Sequence, residues 1–358
     1  PPAPVSAAPE GARQPFVYVA GYRPEIRVFR LDVDAAQLAP VTTVEAGKSP
    51  SFLAIDPQGR FLVAIDEISE GRVTSFRIDA ATGGLARVNE VASGGFGPAH
   101  VSLDRSARWV LVANYAGSRP GTIAVLPISA EGRVGEVVDR HDYGPDAMPH
   151  YIGADLSNRF VFVPVKGGPF VGQQRFDANT GQIENAAPDR VPSAPRAAPR
   201  HLDFHPNGRF VYVINEAALT ITAYTLDPER GLTEIETLST MPADVVERKG
   251  FSTADIHVHP SGRWLYGSNR GHNTIVQFAI DQETGRLTLV GHEGRTIKTP
   301  RNFHIEPSGR LLLAANQGDA SVSVFRIDPA SGRLELAGTP TPAGEKPSFV
   351  GVVLLKGS

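Results

Sequence analysis

Four basic side chains, two carboxylates and one histidine recur at equivalent places in this sequence. Arg200, Arg301 and His150 each directly follow a proline, whereas Lys166, Arg270, Glu67 and Glu216 each stand seven residues beyond an arginine that ends a turn. Guanidinium groups suit bidentate capture of a carboxylate or phosphate. A cluster of cations in a chain of formal charge −3 marks a local field that favours an anionic ligand. Glu216 adds a proton acceptor and His150 a group that titrates near neutrality. Together these residue types allow acid–base chemistry on a small anionic molecule. Ion pairs between neighbouring sheets are the competing explanation for any single arginine, but they do not account for so many polar groups at matching positions.

The elements that must position these groups are read from a repeat. The turn Asp56-Pro57-Gln58-Gly59-Arg60 returns as His205-Pro206-Asn207-Gly208-Arg209, as His259-Pro260-Ser261-Gly262-Arg263 and as Glu306-Pro307-Ser308-Gly309-Arg310, with degenerate copies ending at Arg108 and Arg159. The six arginines are separated by 48, 51, 50, 54 and 47 residues, and a proline stands ten residues before five of them, with Thr253 there in the copy that ends at Arg263. Each copy holds a short apolar run, the turn, a second run such as Phe61 to Ile65, an alternating third such as Val73 to Ile78, a second Gly-containing turn and a fourth run. Period-2 alternation bounded by Gly, Pro and Asp turns predicts strands, and no segment carries a helical period. Four antiparallel strands at this spacing are a propeller blade. The chain ends supply a seventh: Phe16 to Tyr22, Ile26 to Leu31 and Leu38 to Val44 lack a first strand, which Lys346 to Val350 provides. The expected fold is all-β, a seven-bladed β-propeller of four-stranded antiparallel blades over residues 15–358, its first blade closed by the C-terminal strand. Residues 1–14 read as a flexible Pro/Ala-rich segment.

In such blades the start of the first strand and the end of the second meet at one end of the sheet, around the mouth of the central channel. The first set is Ser51, Ala99, His150, Arg200, Ala254, Arg301 and Ser348. The second is Tyr22, Glu67, Tyr115, Lys166, Glu216, Arg270 and Gln317, every one polar or tipped by a polar group.

Other features set limits. The absence of cysteine excludes disulfides, thiolate metal sites and a cysteine nucleophile. A balance of 35 Lys+Arg against 38 Asp+Glu gives no basic excess for nucleic acid. No apolar run reaches membrane-spanning length. The glycine pairs Gly94-Gly95 and Gly167-Gly168 lack a following helix and are not phosphate loops, and no G-x-S-x-G elbow appears. His100, His201, His257 and His304 read as hydrogen-bonded core histidines, with a metal site involving Asp203 or Asp255 as the lesser alternative. His205 and His259 read as turn formers. The opening PPAPVSAAPEGARQ suggests an exported protein after signal removal, periplasmic or secreted, with a trimmed cytoplasmic chain as the alternative.

The segments Ala198 to Pro206, Val213 to Glu216, Ala254 to His257 with Asn269-Arg270, and Pro300 to Phe303 resemble the lactonase-type seven-bladed propellers, which include propeller 6-phosphogluconolactonases and 3-carboxy-cis,cis-muconate lactonizing enzymes. The resemblance runs from Phe16 onward. It implies His150, Arg200, Glu216 and Arg270 as the catalytic set, all four already selected by their positions in the repeat. Arg301, Lys166, Glu67, Tyr115, Tyr22, Gln317 and Asn269 are expected to bind substrate. The unusual strand end Pro164 to Phe170 departs from the family pattern and is expected to reshape the mouth. The implied activity is hydrolysis of an anionic sugar-acid lactone without cofactor or metal. The chemistry of the groups makes Glu216 the first choice of base with His150 delivering the proton, His150 as base being the alternative, and Arg200 and Arg270 suited to hold the anionic group. Lactonisation of a muconate and non-catalytic binding of a sugar acid are the alternatives. The protein is expected to be a monomer whose partner is the small substrate.

Overall fold

The structure, a computed structural model, describes residues 13–116 and 119–356. Seven sheets are arranged as blades, and among the described residues every regular element is a strand. In five blades the four strands pair in simple antiparallel order along the chain, as in blade 5: Pro199–Phe204, Phe210–Asn215, Thr220–Asp227 and Gly231–Ser239. In blade 7 two short outer segments, Leu334–Leu336 and Thr341–Pro342, share the third strand.

Blade 1 is built from both ends of the chain. Its innermost strand is Pro347–Lys356, followed outward by Arg13–Gly21, Glu25–Asp32 and Gln37–Glu45. Pairing begins at Arg13↔Lys356 and Gln14↔Leu355, so these two residues belong to the strand rather than to the flexible segment expected through residue 14. The long C-terminal strand reaches them and satisfies their backbone groups. Residues 1–12 lie outside the described residues.

The core is divided among the interfaces between blades. Seven apolar clusters each draw on two neighbouring blades. The C-terminal strand feeds two of them, through Phe349, Val353 and Leu355 toward blade 2 and through Val350 and Val352 toward blade 7. Interfaces are fixed in register by glycine turns between third and fourth strands. Gly332, at φ +70°, lies over Trp264 of the preceding blade, where a Cβ would come within 2.4 Å of the indole, and Tyr266 Oη donates 2.8 Å to the Gly332 carbonyl. Only glycine combines that backbone with that approach.

One local device recurs at the top of the blades. The residue before the proline is left-handed in five of them: Gly97, Met148, Ala198, Thr299 and Lys346 have φ between 50° and 57°. Its carbonyl accepts the backbone N–H of the residue just past the second strand, as in Glu216 N to Ala198 O at 2.8 Å, Lys166 N to Met148 O at 3.1 Å and Tyr115 N to Gly97 O at 3.0 Å. After the proline the ladder slips by one residue. Pro199 faces Asn215 but His201 faces Ile214, and the same step occurs at Pro98/His100 and Pro300/Asn302. Arg200, Ala99 and Arg301 are therefore the extra residues of β-bulges, which re-aim a side chain.

Because the ring closes only through Pro347–Lys356, deleting residues 347–358 exposes two apolar blade faces and an open sheet edge. The truncated chain is expected to lose its cooperative melting transition or to aggregate on expression. A truncated protein that melts with the full-length midpoint contradicts this closure.

Candidate active site

The bulges and the ends of the second strands bring nine of the eleven expected residues to one mouth of the channel. Glu67, Tyr115, His150, Lys166, Glu216, Arg270 and Arg301 line a cavity of about 180 Å³. A narrower recess beneath it is bounded by Tyr22, Arg200, His150 and Arg301, with Ser51 and Ser348. Gln317 and Asn269 line neither. Gln317 has its N–H on the Thr299 carbonyl. Asn269, fully buried, donates from its amide to Thr240 O at 3.0 Å and Thr274 Oγ1 at 3.1 Å. Asn114, Asn215 and Asn316 make matching contacts in their blades. This asparagine is thus a repeated clasp between strands, one residue short of the mouth, and proximity to Arg270 in sequence does not carry it into the cavity.

Glu216 is the hub. Its Oε1 lies 2.8 Å from Lys166 Nζ, and its Oε2 lies 3.0 Å from Arg200 Nε and 3.2 Å from Arg270 Nη2. The Arg200 contact is ionic without hydrogen-bond alignment, and the buried Nε atoms of Arg200 and Arg270 have no hydrogen-bond partner within the protein. Burial alone would raise the Glu216 pKa, but Arg200, Lys166 and Arg270 overcome it and hold the group at about 2. A carboxylate so stabilised is a poor proton acceptor. Arg200 is only 2% exposed, and burial together with Arg301 and Arg270 lowers its pKa to about 9. Its Nη1 donates to the Ala254 carbonyl, while Arg270 Nη2 donates to Thr253 O at 2.7 Å.

His150 sits between the cavity and the recess, buried, with its Nδ1 unpartnered in the protein. Burial, reinforced by Arg200, His201, Lys166 and Arg301, pushes its pKa well below the usual imidazole value, so the free site holds it neutral. Tyr115 stands edge-on to it at 5.4 Å between ring centroids and lies beneath Lys166 Nζ at 5.3 Å. Arg301 is the guanidinium not engaged by Glu216, and it lies 5.3 Å from the Tyr22 ring centroid. Burial pushes the Tyr22 phenol up to about 12.

The departure at Pro164 to Phe170 has a structural counterpart. The first strand of blade 4 shrinks to Gly153–Ala154, with an isolated bridge at Pro149↔Val165, and Gly167 N donates to Ala147 O at 2.8 Å. That packing holds the strand end that delivers Lys166 to Glu216.

Sequence reasoning left His201 out of the site. Strict alternation sends it away from Arg200, but the bulge turns both inward, and His201 Nε2 lies 3.1 Å from Arg200 Nη1. The proline-plus-one rule applied to its neighbour was the only signal available. His100 and His257 line the channel beneath the mouth, while His205 and His259 do more than shape turns: each reaches the turn of the next blade, at Gly262 O and Gly309 O, both 2.8 Å. Among the described residues no three His, Asp or Glu side chains are grouped to hold a metal ion.

Residues 16–351 match the family described as "Lactonase, 7-bladed beta-propeller". A 6-phosphogluconolactonase of Pectobacterium carotovorum is 33% identical over 292 residues, covering 81% of this chain and 84% of its own. One from Formosa agariphila is 29% identical over 294 residues, covering 78% and 81%. Among solved structures, the periplasmic gluconolactonase of Pseudomonas aeruginosa superposes with a TM-score of 0.89 at 28% identity, over 96% of this chain and 99% of that one.

Because the folded Glu216 pKa lies near 2 against an ordinary 4.5, its ionisation contributes on the order of 3 kcal/mol of stability above pH 4.5, lost as the pH falls toward 2. Carboxyl ¹³C NMR is expected to find Glu216 ionised throughout the folded range, with Lys166→Met moving its midpoint upward. A midpoint at or above 4.5 in the unsubstituted protein contradicts the three-cation clamp.

Proposed function

The chain belongs to the lactonase family of seven-bladed β-propellers, and from that premise we propose that it hydrolyses a sugar-acid lactone of the gluconolactone or 6-phosphogluconolactone type at the mouth lined by His150 and Glu216. The observation that carries the assignment of roles is the contrast between a Glu216 held at about 2 and a neutral, unpartnered His150 beside it. Sequence alone favoured Glu216 as base. Its three cations make that role the weaker one, and its carboxylate serves instead as the fixed counter-charge that organises them.

In this reading neutral His150 takes a proton from water as the water oxygen bonds to the lactone carbonyl carbon. The carbonyl oxygen becomes an oxyanion facing the guanidinium groups. When the ring C–O bond breaks, the imidazolium returns the proton to the departing ring oxygen, so one group serves both steps. An oxyanion or anionic substituent in the mouth offsets the cations that depress His150, and its basicity rises when it is needed. Arg301, together with Arg270 and Lys166, supports the anionic group. The relatives described carry hydrolase names, which favours ring opening over muconate lactonisation. The periplasmic compartment named for the Pseudomonas enzyme fits an unphosphorylated lactone.

Proton release from gluconolactone and 6-phosphogluconolactone, corrected for spontaneous opening, tests the reading. His150→Asn is expected to lower kcat by roughly 10²-fold to 10⁴-fold. In the unsubstituted enzyme activity should fall as pH falls, and for the phosphorylated lactone the midpoint for kcat should lie above that for kcat/KM, because only the former reports the complex that holds the anion. Undiminished turnover by His150→Asn ends the mechanism, and no turnover of either lactone ends the reading.

Arg301→Ala is expected to raise KM for the phosphorylated lactone by roughly 10-fold to 150-fold, the weight of a charged hydrogen bond. Arg60→Ala, whose guanidinium is 2.7 Å from Asp56 in a turn distant from the mouth, should leave KM unchanged. Equal effects at the two positions would count against an anion subsite.

A further inference from the structure

Beneath the mouth, the inner strands of three blades meet in a buried polar chain that the hydrolytic mechanism does not use. We infer that Asp255 and His201 form a relay that fixes the Arg200 guanidinium, and that both are positioning residues for the reaction proposed above, on which this inference rests. Arg200 and His201 occupy the bulge of blade 5, and Asp255 follows Ala254 in the slipped ladder of blade 6, between Thr253↔Asn269 and Ile256↔Gly267. His201 Nδ1 lies 2.7 Å from Asp255 Oδ1, and His201 Nε2 lies 3.1 Å from Arg200 Nη1. All three side chains are nearly or fully withdrawn from solvent.

The chemistry of the three groups admits one proton arrangement. A guanidinium only donates and an ionised carboxylate only accepts. The imidazole between them must therefore carry its proton on Nδ1, donate it to Asp255, and accept from Arg200 at Nε2. An Nε2–H tautomer would face a donor on one side and leave the carboxylate unserved on the other. An imidazolium would set two cations against each other, and burial with Arg200 keeps His201 at about 4, against the pull of Asp255.

Asp255 is in turn anchored. Its Oδ2 accepts from Asn302 Nδ2 at 2.6 Å and Phe303 N at 3.1 Å in blade 7, and from His257 Nε2 at 3.1 Å. His257 carries the compensating positive charge. Burial opposes it, but Asp255 and Asp203 raise its pKa to about 10. The carboxylate is thus held by a permanent cation on one side, leaving Oδ1 for His201. Arg200 Nη1 is aimed by His201 and the Ala254 carbonyl, which leaves Nε facing Glu216 and the recess.

A buried network of this kind could serve stability alone, so the test must read something that stability does not move. In the full-length protein labelled with ¹⁵N-histidine, at pH 7 without ligand, the His201 ring should show a protonated Nδ1 and a bare Nε2. His201→Phe identifies the signal by its loss, and Asp255→Asn should shift it toward the other tautomer. An Nε2–H or doubly protonated His201 in the unsubstituted protein overturns the relay, whatever the enzyme hydrolyses.

Gluconolactone kinetics supply the second arm. His201→Phe keeps a ring in place but removes the acceptor, and is expected to lower kcat by up to roughly 10²-fold, the cost of misplacing a group that acts on the substrate. In an Arg200→Ala background the same change should alter turnover less than twofold, because the group being positioned is gone. Equal losses in both backgrounds assign His201 to packing and overturn the inference. If no lactone is turned over, the functional reading fails while the ring-nitrogen spectrum still decides the relay.

Discussion

A ring of blades is fastened when its two chain ends share one blade, and here that fastening is the pairing of Arg13–Gly21 with Pro347–Lys356. Everything at the mouth depends on it. The groups that meet at Glu216 come from different blades, Lys166 from blade 4 and Arg270 from blade 6, some fifty residues away on either side. They meet within 3.2 Å only because each blade is held at a fixed rotation to its neighbours. The apolar clusters that set this rotation lie between blades, so the ring's closure and the site's geometry are the same constraint seen at two radii.

Within that frame a small backbone device does the chemical placement. A left-handed residue, a proline and a one-residue slip recur where the inner strand begins. The proline offers no N–H, the left-handed carbonyl receives the N–H of the opposite strand end, and the extra residue turns into the channel. One device, repeated around the axis, delivers alanine or serine in some blades and arginine in others. Variation of a single side chain per blade therefore rewrites the mouth without disturbing the sheet beneath it.

This explains how far the sequence could be read. The blade count, strand order and C-terminal closure follow from the repeat, because turn chemistry and alternation report directly on backbone shape. The mouth was legible for the same reason: equivalent positions in a repeat are equivalent in space. What alternation could not convey was the bulge, so His201 was assigned to the far side of its strand although it touches Arg200. Nor could it separate Asn269 from Arg270, since the inward turn occurs within one residue. The base role that residue type suggests for Glu216 takes no account of its partners. Residue type shows that a carboxylate can accept a proton, but only the three distances show how strongly its ionised form is held.

The charge balance of the mouth then bears on what it opens. Lys166, Arg200, Arg270 and Arg301 face Glu67 and Glu216, an excess of positive charge in a small cavity. Under the hydrolysis proposed above, a neutral lactone would give these cations nothing to hold in the ground state, and they would act first on the developing oxyanion, the differential stabilisation that raises kcat. The product would then be a carboxylate left among guanidinium groups, which would slow its departure. On the same reading a phosphorylated lactone would bring its anion from the start, part of the field would be spent on binding, and the gain would appear in KM. The engagement of three cations by Glu216 moderates both costs, because it removes most of their charge from competition for the product while leaving Arg301 outside the clamp. A mouth with the same arginines and no Glu216 would bind sugar acids more tightly and release them more slowly.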